Sequence, residues 1–377
     1  MTSADVVILG GGAAGCSTAF HLANTGNKVV LVEKNSGFPL RSCGGGMAAS
    51  VQRLYPFSLE AAVEEVIKRV EFSWCLSDQV IAELPGDSPF WITRREKLDE
   101  LLLKNAIDQG AEFFNSFEVN DIQKDNSQWH VTSRDGRQVE CKCLVIADGS
   151  SSPWAEKFNL GPRKLHYAST TSVRLQGRGF LKSNTSRFEF GLVQHGFAWA
   201  FPLKDSVNIG VGTFIGNQFS DSKQILNQLL PNLGFEQDAG IRKNSQLRVW
   251  NGHSNLHGEG IVVVGDAASL CDPFLAEGLR PSLISGCEAA KCINHWLKGD
   301  TNDLRNYTFS MKEKWGDSMA WGRRISQVFY RFPKIGYKLG IKRPTAPQRI
   351  AEILSGKMGY GDIAARVIRR LLFSAPK

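Results

Sequence analysis

No stretch of this 377-residue chain reaches 18 consecutive apolar residues, so no membrane-spanning helix is expected. The apolar opening Val6 to Leu9 is too short for a secretory signal and has neither a basic leader nor a cleavage site; the expected location is the cytoplasm. Eight cysteines form no CxxC pair and no metal-ligand spacing, and Cys141 and Cys143 make only CxC in a strand-like run. That excludes a disulfide framework, a zinc site and a reductase that works through a paired dithiol. There is no internal repeat and no low-complexity stretch.

Acidic side chains are scarce at one end only. Residues 301–377 hold 16 Lys and Arg against 5 Asp and Glu, more than the whole formal charge of +8. Such a region suits an acidic protein or an anionic membrane surface, with nucleic acid a weak option and a solvated helical face the plain alternative. Within it Ile363, Val367, Ile368, Leu371 and Leu372 alternate with Arg366, Arg369 and Arg370, an amphipathic pattern suited to lying on a bilayer or packing on the protein body.

With 42% apolar residues the chain can fill a large core. It opens as βαβ: a strand at Val6 to Leu9, a glycine turn, a helix from Gly15 to Thr25 and a strand from Lys28 to Val32. Apolar spacing predicts helices over Leu59 to Val70 and over Glu96 to Gln109, the latter ending at Gly110. Strand patterns fill Ala111 to Val145 and the aromatic-rich Tyr167 to Trp250. A buried strand at Ile261 to Val264 precedes a helix at Leu279 to Leu297, and the rest reads as helices broken at Pro333, Pro344 and Pro347.

Gly10, Gly12 and Gly15, with Ala13 and Ala14 between them, make GxGxxG between strand and helix. The first glycine forms the turn, the second admits a pyrophosphate and the third lets helix and strand pack closely, with the helix amino end facing the phosphates. Glu33 ends the second strand, where an acidic side chain takes the adenosine ribose hydroxyls, and Lys34 follows it. The pattern indicates a dinucleotide but does not separate FAD from NAD.

Asp148-Gly149 after one strand, and Gly265-Asp266 after another with Pro273 and Gly278 beyond, resemble in this order the flavoproteins that include p-hydroxybenzoate hydroxylase and geranylgeranyl reductases. The resemblance implies FAD, with Asp266 on the ribityl chain, the Pro273 to Gly278 loop at the pyrimidine edge, and the helix from Leu279 aimed at N1 and O2, where charge collects on reduction. Arg95 matches the arginine that approaches the cofactor, with Arg94 able to do the same.

Within that group the chain resembles the geranylgeranyl reductase family. Arg41-Ser42-Cys43-Gly44-Gly45-Gly46-Met47 is similar to its CGGG loop near the flavin, Phe197-Ala198-Trp199-Ala200-Phe201-Pro202 with the later Gly210 and Gly212 to its substrate-cavity signature, and Glu277-Gly278 and Gly286 to Ala290 to its later segments. The chain departs from the group after Asp148-Gly149, where others carry an arginine and this one has Ser152-Pro153-Trp154.

The resemblance implies a two-dinucleotide-binding, Rossmann-like α/β FAD domain (1–165 and 255–300), an inserted antiparallel-sheet substrate domain (166–254 with part of 72–93) and a basic helical region (301–377). It implies reduction of prenyl double bonds by hydride from flavin N5, with Phe197, Trp199 and Phe201 walling an apolar channel. Cys43 either shapes that pocket, assists protonation or is an inert thiol. With no second glycine fingerprint, the donor is NADPH docking transiently or a carrier such as ferredoxin. The alternatives are a flavin monooxygenase or halogenase, and a redox-silent FAD protein that binds prenyl lipid.

Overall fold

The computed structural model describes residues 2–37, 43–87, 89–125, 127–214 and 222–373, with the side chains at 367, 368 and 370–373 excepted. The chain opens with β1 (Thr2–Leu9), α1 (Ala13–Ala23) and β2 (Val29–Val32). Five short strands follow, β3 (Gly46–Ala48), β4 (Val63–Ile67), β5 (Arg69–Trp74), β6 (Ser77–Glu83) and β7 (Phe90–Thr93), then α2 (Arg95–Asp108). Next come β8 (Glu112–Phe114), β9 (Val119–Asp125), β10 (Gln128–Ser133), β11 (Gln138–Ile146) and α3 (Trp154–Lys157). The long strands β12 (His166–Gln176), β13 (Thr185–Phe190), β14 (Gly196–Pro202) and β15 (Ser206–Thr213) lead to α4 (Ser222–Asn232) and β16 (Lys243–Val249). The chain then runs through β17 (His257–Gly258), β18 (Ile261–Val263), α5 (Leu279–Leu297), α6 (Arg305–Met311), α7 (Asp317–Arg331), α8 (Pro333–Gly340), α9 (Ala346–Leu354) and α10 (Tyr360–Phe373).

The first sheet has a parallel centre in the order β8-β2-β1-β11-β18, extended by the antiparallel β10 and β9. Its middle strands are buried on both faces, which is why Val6 to Leu9 and Val29 to Val32 are unbroken apolar runs rather than alternating ones. The helices α1 and α5 lie together on it. Gly286 makes their approach possible, since a Cβ there would stand 2.7 Å from the Ala14 carbonyl.

The second sheet, β16-β12-β15-β14-β13-β5-β6, is antiparallel except where β13 runs parallel to β5. Two strands from 69–83 thus join five from 166–249. On β14, Phe197, Trp199 and Phe201 face the main core while Ala198 and Ala200 face a smaller core made with α4, a helix the strand pattern of this region concealed.

The helix expected over Leu59 to Val70 is instead a short 3₁₀ turn followed by β4 and β5. Val63, Val66, Ile67 and Val70 recur at helical spacing, but they are β-branched and find a strand partner in β7 and β13. Sheet pairing with distant segments overrides the local period.

The C-terminal helices are fastened to the body rather than trailing from it. The Tyr307 hydroxyl donates to the Val263 carbonyl (2.9 Å), Trp315 Nε1 to Leu270 (2.8 Å), Tyr330 to Phe274 (2.8 Å), and Tyr360 to Asp272 Oδ2 (2.8 Å). Ile363 packs on the main core, while the side chains of Val367, Ile368, Leu371 and Leu372 lie outside the described residues. None of the described helices is long and apolar enough to cross a membrane.

Candidate functional site

A cavity of about 420 Å³ runs along the C-terminal edge of the parallel strands and continues beneath the second sheet. Two helices begin on it. α1 starts after Gly12 and α5 after Gly278; neither amino end has a side-chain cap, and neither has an acidic residue in its first turn. Their first-turn amides and the positive ends of both dipoles are therefore directed at whatever fills the cavity.

The glycine turn places Gly10, Gly12, Ala13 and Ala14 in the lining. Gly15 stands behind it, because a Cβ there would lie 1.9 Å from the Gly10 carbonyl oxygen; this glycine sets the close approach of α1. Glu33 and Lys34 line the same end. The Glu33 carboxylate accepts the Gly11 amide (2.8 Å) and the Asn35 amide (3.0 Å), which fixes its orientation toward the cavity.

At the centre are Asp148, Gly149, Asp266, Gly278 and Leu279. Asp148 Oδ1 is buried without a protein partner, and burial pushes its carboxyl up to about 6 against the pull of Ser152, Arg248 and Lys34. Gly265 and Pro273 do not line the cavity. Gly265 lies against Ala14, where a Cβ would come within 2.8 Å of the Ala14 Cβ. Pro273 sits in a turn that Asp272 holds by accepting the amides of Phe274 (2.6 Å) and Leu275 (2.9 Å). The loop surface facing the cavity is Leu275 to Gly278 instead. Glu277 there is pushed by burial up to about 7, raised further by Asp272 and opposed by its ion pair with Arg280 (2.6 Å).

Cys43, Gly44 and Gly45 line the junction between the two halves, and Arg41 lies outside the described residues. Of the two candidate arginines, Arg95 reaches the cavity, its Nη1 lying 3.8 Å from Cys43 Sγ and its Nη2 3.2 Å from Asp99 Oδ1. Burial alone would lower its pKa, but Asp99 and Cys43 raise it, so the guanidinium stays charged. Arg94 turns away to Glu64 and Asp205.

The far part is walled by Phe90, Phe188, Phe197, Trp199, Phe201 and Phe214. Trp199 is pinned by its indole N–H on Asn208 Oδ1 (2.8 Å), and its ring lies over Gly210, its strand partner, where a Cβ would come within 2.2 Å. Gly44 passes against Phe201 and Trp199, so the glycine loop meets the aromatic wall directly.

These residues fit FAD: glycine cradle and α1 amino end for a diphosphate, Glu33 for a ribose, the orphaned Asp148 oxygen for a polar group of the cofactor, and the α5 amino end for the electron-rich edge of a flavin. Sequence reading missed several contributors. Phe188, Phe214 and Leu354 enter from distant elements, and the buried Arg248 on β16 donates to the carbonyls of Ser150 and Ser152 (2.6 Å each) and to Glu156 (2.9 Å). The loop that lacks its own arginine is thereby held by one from another strand.

Removing the carboxylate in Asp266→Ala should weaken flavin retention roughly tenfold to a hundredfold, as for loss of one charged hydrogen bond; an unchanged flavin content after purification removes Asp266 from the site. For Asp148, a folded-state pKa above the ordinary 3.8 means that ionisation costs the folded protein stability as pH rises from 3.8 to about 6. Asp148→Asn should abolish that decline. Urea melts of the flavin-free protein across this window, compared with wild type, measure the difference, and parallel pH profiles contradict the assignment.

Comparison with known proteins agrees with this geometry. The family model for lycopene cyclase protein matches residues 5–175. The digeranylgeranylglycerophospholipid reductase 2 of Methanothermobacter thermautotrophicus is 28% identical over 347 residues, covering 86% of this chain and 87% of that protein. The menaquinone reductase of Mycobacterium tuberculosis is 28% identical over 365 residues, covering 88% and 85%. Among solved structures, a geranylgeranyl bacteriochlorophyll reductase-like protein from Thermoplasma acidophilum superposes with a TM-score of 0.79 at 20% identity over 94% of this chain and 92% of its own. The chain is thus similar over most of its length to reductases named for digeranylgeranylglycerophospholipid and for menaquinone, and shares the fold of a geranylgeranyl reductase-like protein, which together support a FAD-dependent oxidoreductase.

Proposed function

We propose that this protein reduces carbon–carbon double bonds in the prenyl chain of a lipid or quinone. The observation that carries the reading is the continuity of one cavity, from two uncapped helix ends to a wall of six aromatic rings. Relatives named for a prenylated glycerophospholipid and for menaquinone support it.

FAD, when bound and reduced, supplies a hydride from N5. The chain's own residues supply position and a proton. Phe188, Phe197, Trp199 and Phe201 exclude water and hold an apolar chain in register, which an unactivated alkene, a poor hydride acceptor, requires. With that hydride delivered to one alkene carbon, the Cys43 thiol would give its proton to the other. The Arg95 guanidinium beside Cys43 stabilises the thiolate left behind until water reprotonates it. The α5 amino end stabilises negative charge at the flavin edge. The reducing equivalents come from NADPH or from an acidic protein carrier, and anaerobic titration with each identifies which one reduces the protein.

The test is anaerobic. Photoreduced protein mixed with a geranylgeranyl lipid should regain the oxidised flavin spectrum, and the lipid should gain two hydrogens per turnover by mass spectrometry. In that anaerobic test an unchanged reduced spectrum means a redox-silent lipid binder, and in a parallel aerobic assay stoichiometric oxygen consumption with an oxygen atom in the product means a monooxygenase. Cys43→Ala and Trp199→Ala should each slow lipid reduction, the former by about a hundredfold as for loss of a general acid, while flavin reduction by the donor is unaffected. Equal effects on both half-reactions remove these residues from the prenyl step.

A further inference from the structure

The corner between α7 and α8 has two very different sides. Phe332 breaks the helical path, with φ −128° and ψ 64°, and Pro333 starts α8. On the inner side, Phe329 packs edge-on against Phe274 (5.2 Å) and Phe190 (5.5 Å), and Tyr337 packs against Trp74 (5.6 Å). The Tyr337 hydroxyl donates to the carbonyls of Phe72 (3.2 Å) and Asp78 (2.6 Å). Phe190 in turn touches Phe197, a ring of the cavity wall, at 5.8 Å. The hairpin thus roofs the aromatic chamber with only one ring between.

On the outer side, Val328, Phe332, Ile335 and Leu339 are 69%, 55%, 57% and 53% exposed. Single exposed apolar residues are ordinary, but four large ones on one corner form a patch that core packing does not explain. Ile335 and Leu339 are an i, i+4 pair on a short helix whose other side turns Gly336 and Gly340 toward Phe329 of α7 and buries Tyr337 against the body.

Charge decides what the patch meets. Residues 328–343 contain five Lys and Arg and no Asp or Glu. Lys342 pairs with Asp78, whereas Arg331, Lys334, Lys338 and Arg343 are exposed and have no ion pair among the described residues. Bulky apolar tips at a helix corner, ringed by unpaired cations, suit insertion at the interface of a bilayer with anionic headgroups.

We propose that the α7–α8 corner is the surface by which this protein docks on a membrane containing anionic lipids. Resting on the prenyl-reductase reading, we infer further that the substrate chain passes from that bilayer into the chamber under the hairpin. The amphipathic pattern at 363–372, which suggested a membrane contact from sequence, is a poorer candidate because Ile363 packs on the main core.

The test uses the full-length, FAD-loaded protein and sedimentation with vesicles of phosphatidylcholine, with and without phosphatidylglycerol. Wild type should sediment with the anionic vesicles, less so as salt is raised. Ile335→Glu/Leu339→Glu should weaken binding about tenfold or more with unchanged flavin spectrum and melting temperature. The milder Lys334→Gln/Lys338→Gln should weaken it on anionic vesicles only. The glutamate variant should also lose turnover on vesicle-embedded prenyl lipid by a similar factor while matching wild type in detergent micelles. Wild type that stays in the supernatant at low salt, or a glutamate variant that sediments equally, overturns the proposal. So does self-association that the glutamate variant abolishes without any vesicle binding, since the patch then belongs to a second copy of the chain. Wild type that sediments but does not reduce prenyl lipid in detergent sinks the functional reading and leaves the docking surface standing.

Discussion

Two helices here aim their amino ends at one cavity while lying against each other and against the turn that precedes the first of them. In this protein that contact depends on missing side chains. Gly15 leaves no room for a Cβ above the Gly10 carbonyl, and Gly286 leaves little above the Ala14 carbonyl. Each helix end carries roughly half a positive charge that no side chain among the described residues caps. A diphosphate at one end and an electron-rich flavin edge at the other complement these two positive ends.

The second helix end is placed by residues far from the glycine turn. Four aromatic donors from 307–360 fasten carbonyl and carboxylate acceptors along 263–274, the stretch that leads into the loop before α5. Each such bond is worth about 1 kcal/mol net, yet together they fix where Leu275 to Gly278 can lie. This also accounts for the protonation behaviour of the loop. Asp272 is fully buried under Tyr360, its pKa raised by burial, and burial raises Glu277 beside it as well, while Arg280 pairs with Glu277.

What was legible in the sequence is what depends on neighbours in the chain. The glycine turn, Glu33 at the end of β2 and Asp266 after β18 are local signals of strand, turn and helix, and all three line one cavity. The alternation of large and small residues in Phe197 to Phe201 was also legible, because one face of β14 meets the chamber and the other meets α4. What could not be read depends on register between distant strands. Nothing near Arg248 marks it as the clamp on the Asp148 loop, and nothing near Asn208 marks it as the partner of Trp199. The run from Leu59 to Val70 was misread for the same reason, since its helical spacing is real and only its pairing with Phe90 to Thr93 and with β13 rules the helix out.

The basic charge of the C-terminal region follows from the same packing. The inner faces of these helices carry Tyr307, Trp315, Phe329, Tyr330, Tyr337 and Tyr360, and most of the Lys and Arg fall on the outward side. If that were all, the outward side of α8 would be uniformly polar. It is not: Ile335 and Leu339 stand among the lysines while the aromatic roof of the chamber lies on the opposite side of the same helix. A helix that is apolar toward both the aromatic chamber and the outside, with cations between, separates the two by about one helical diameter, roughly 10 Å, and the ring of Phe190. For the prenyl lipid proposed as substrate, entry at this hairpin would keep the chain out of water along that path.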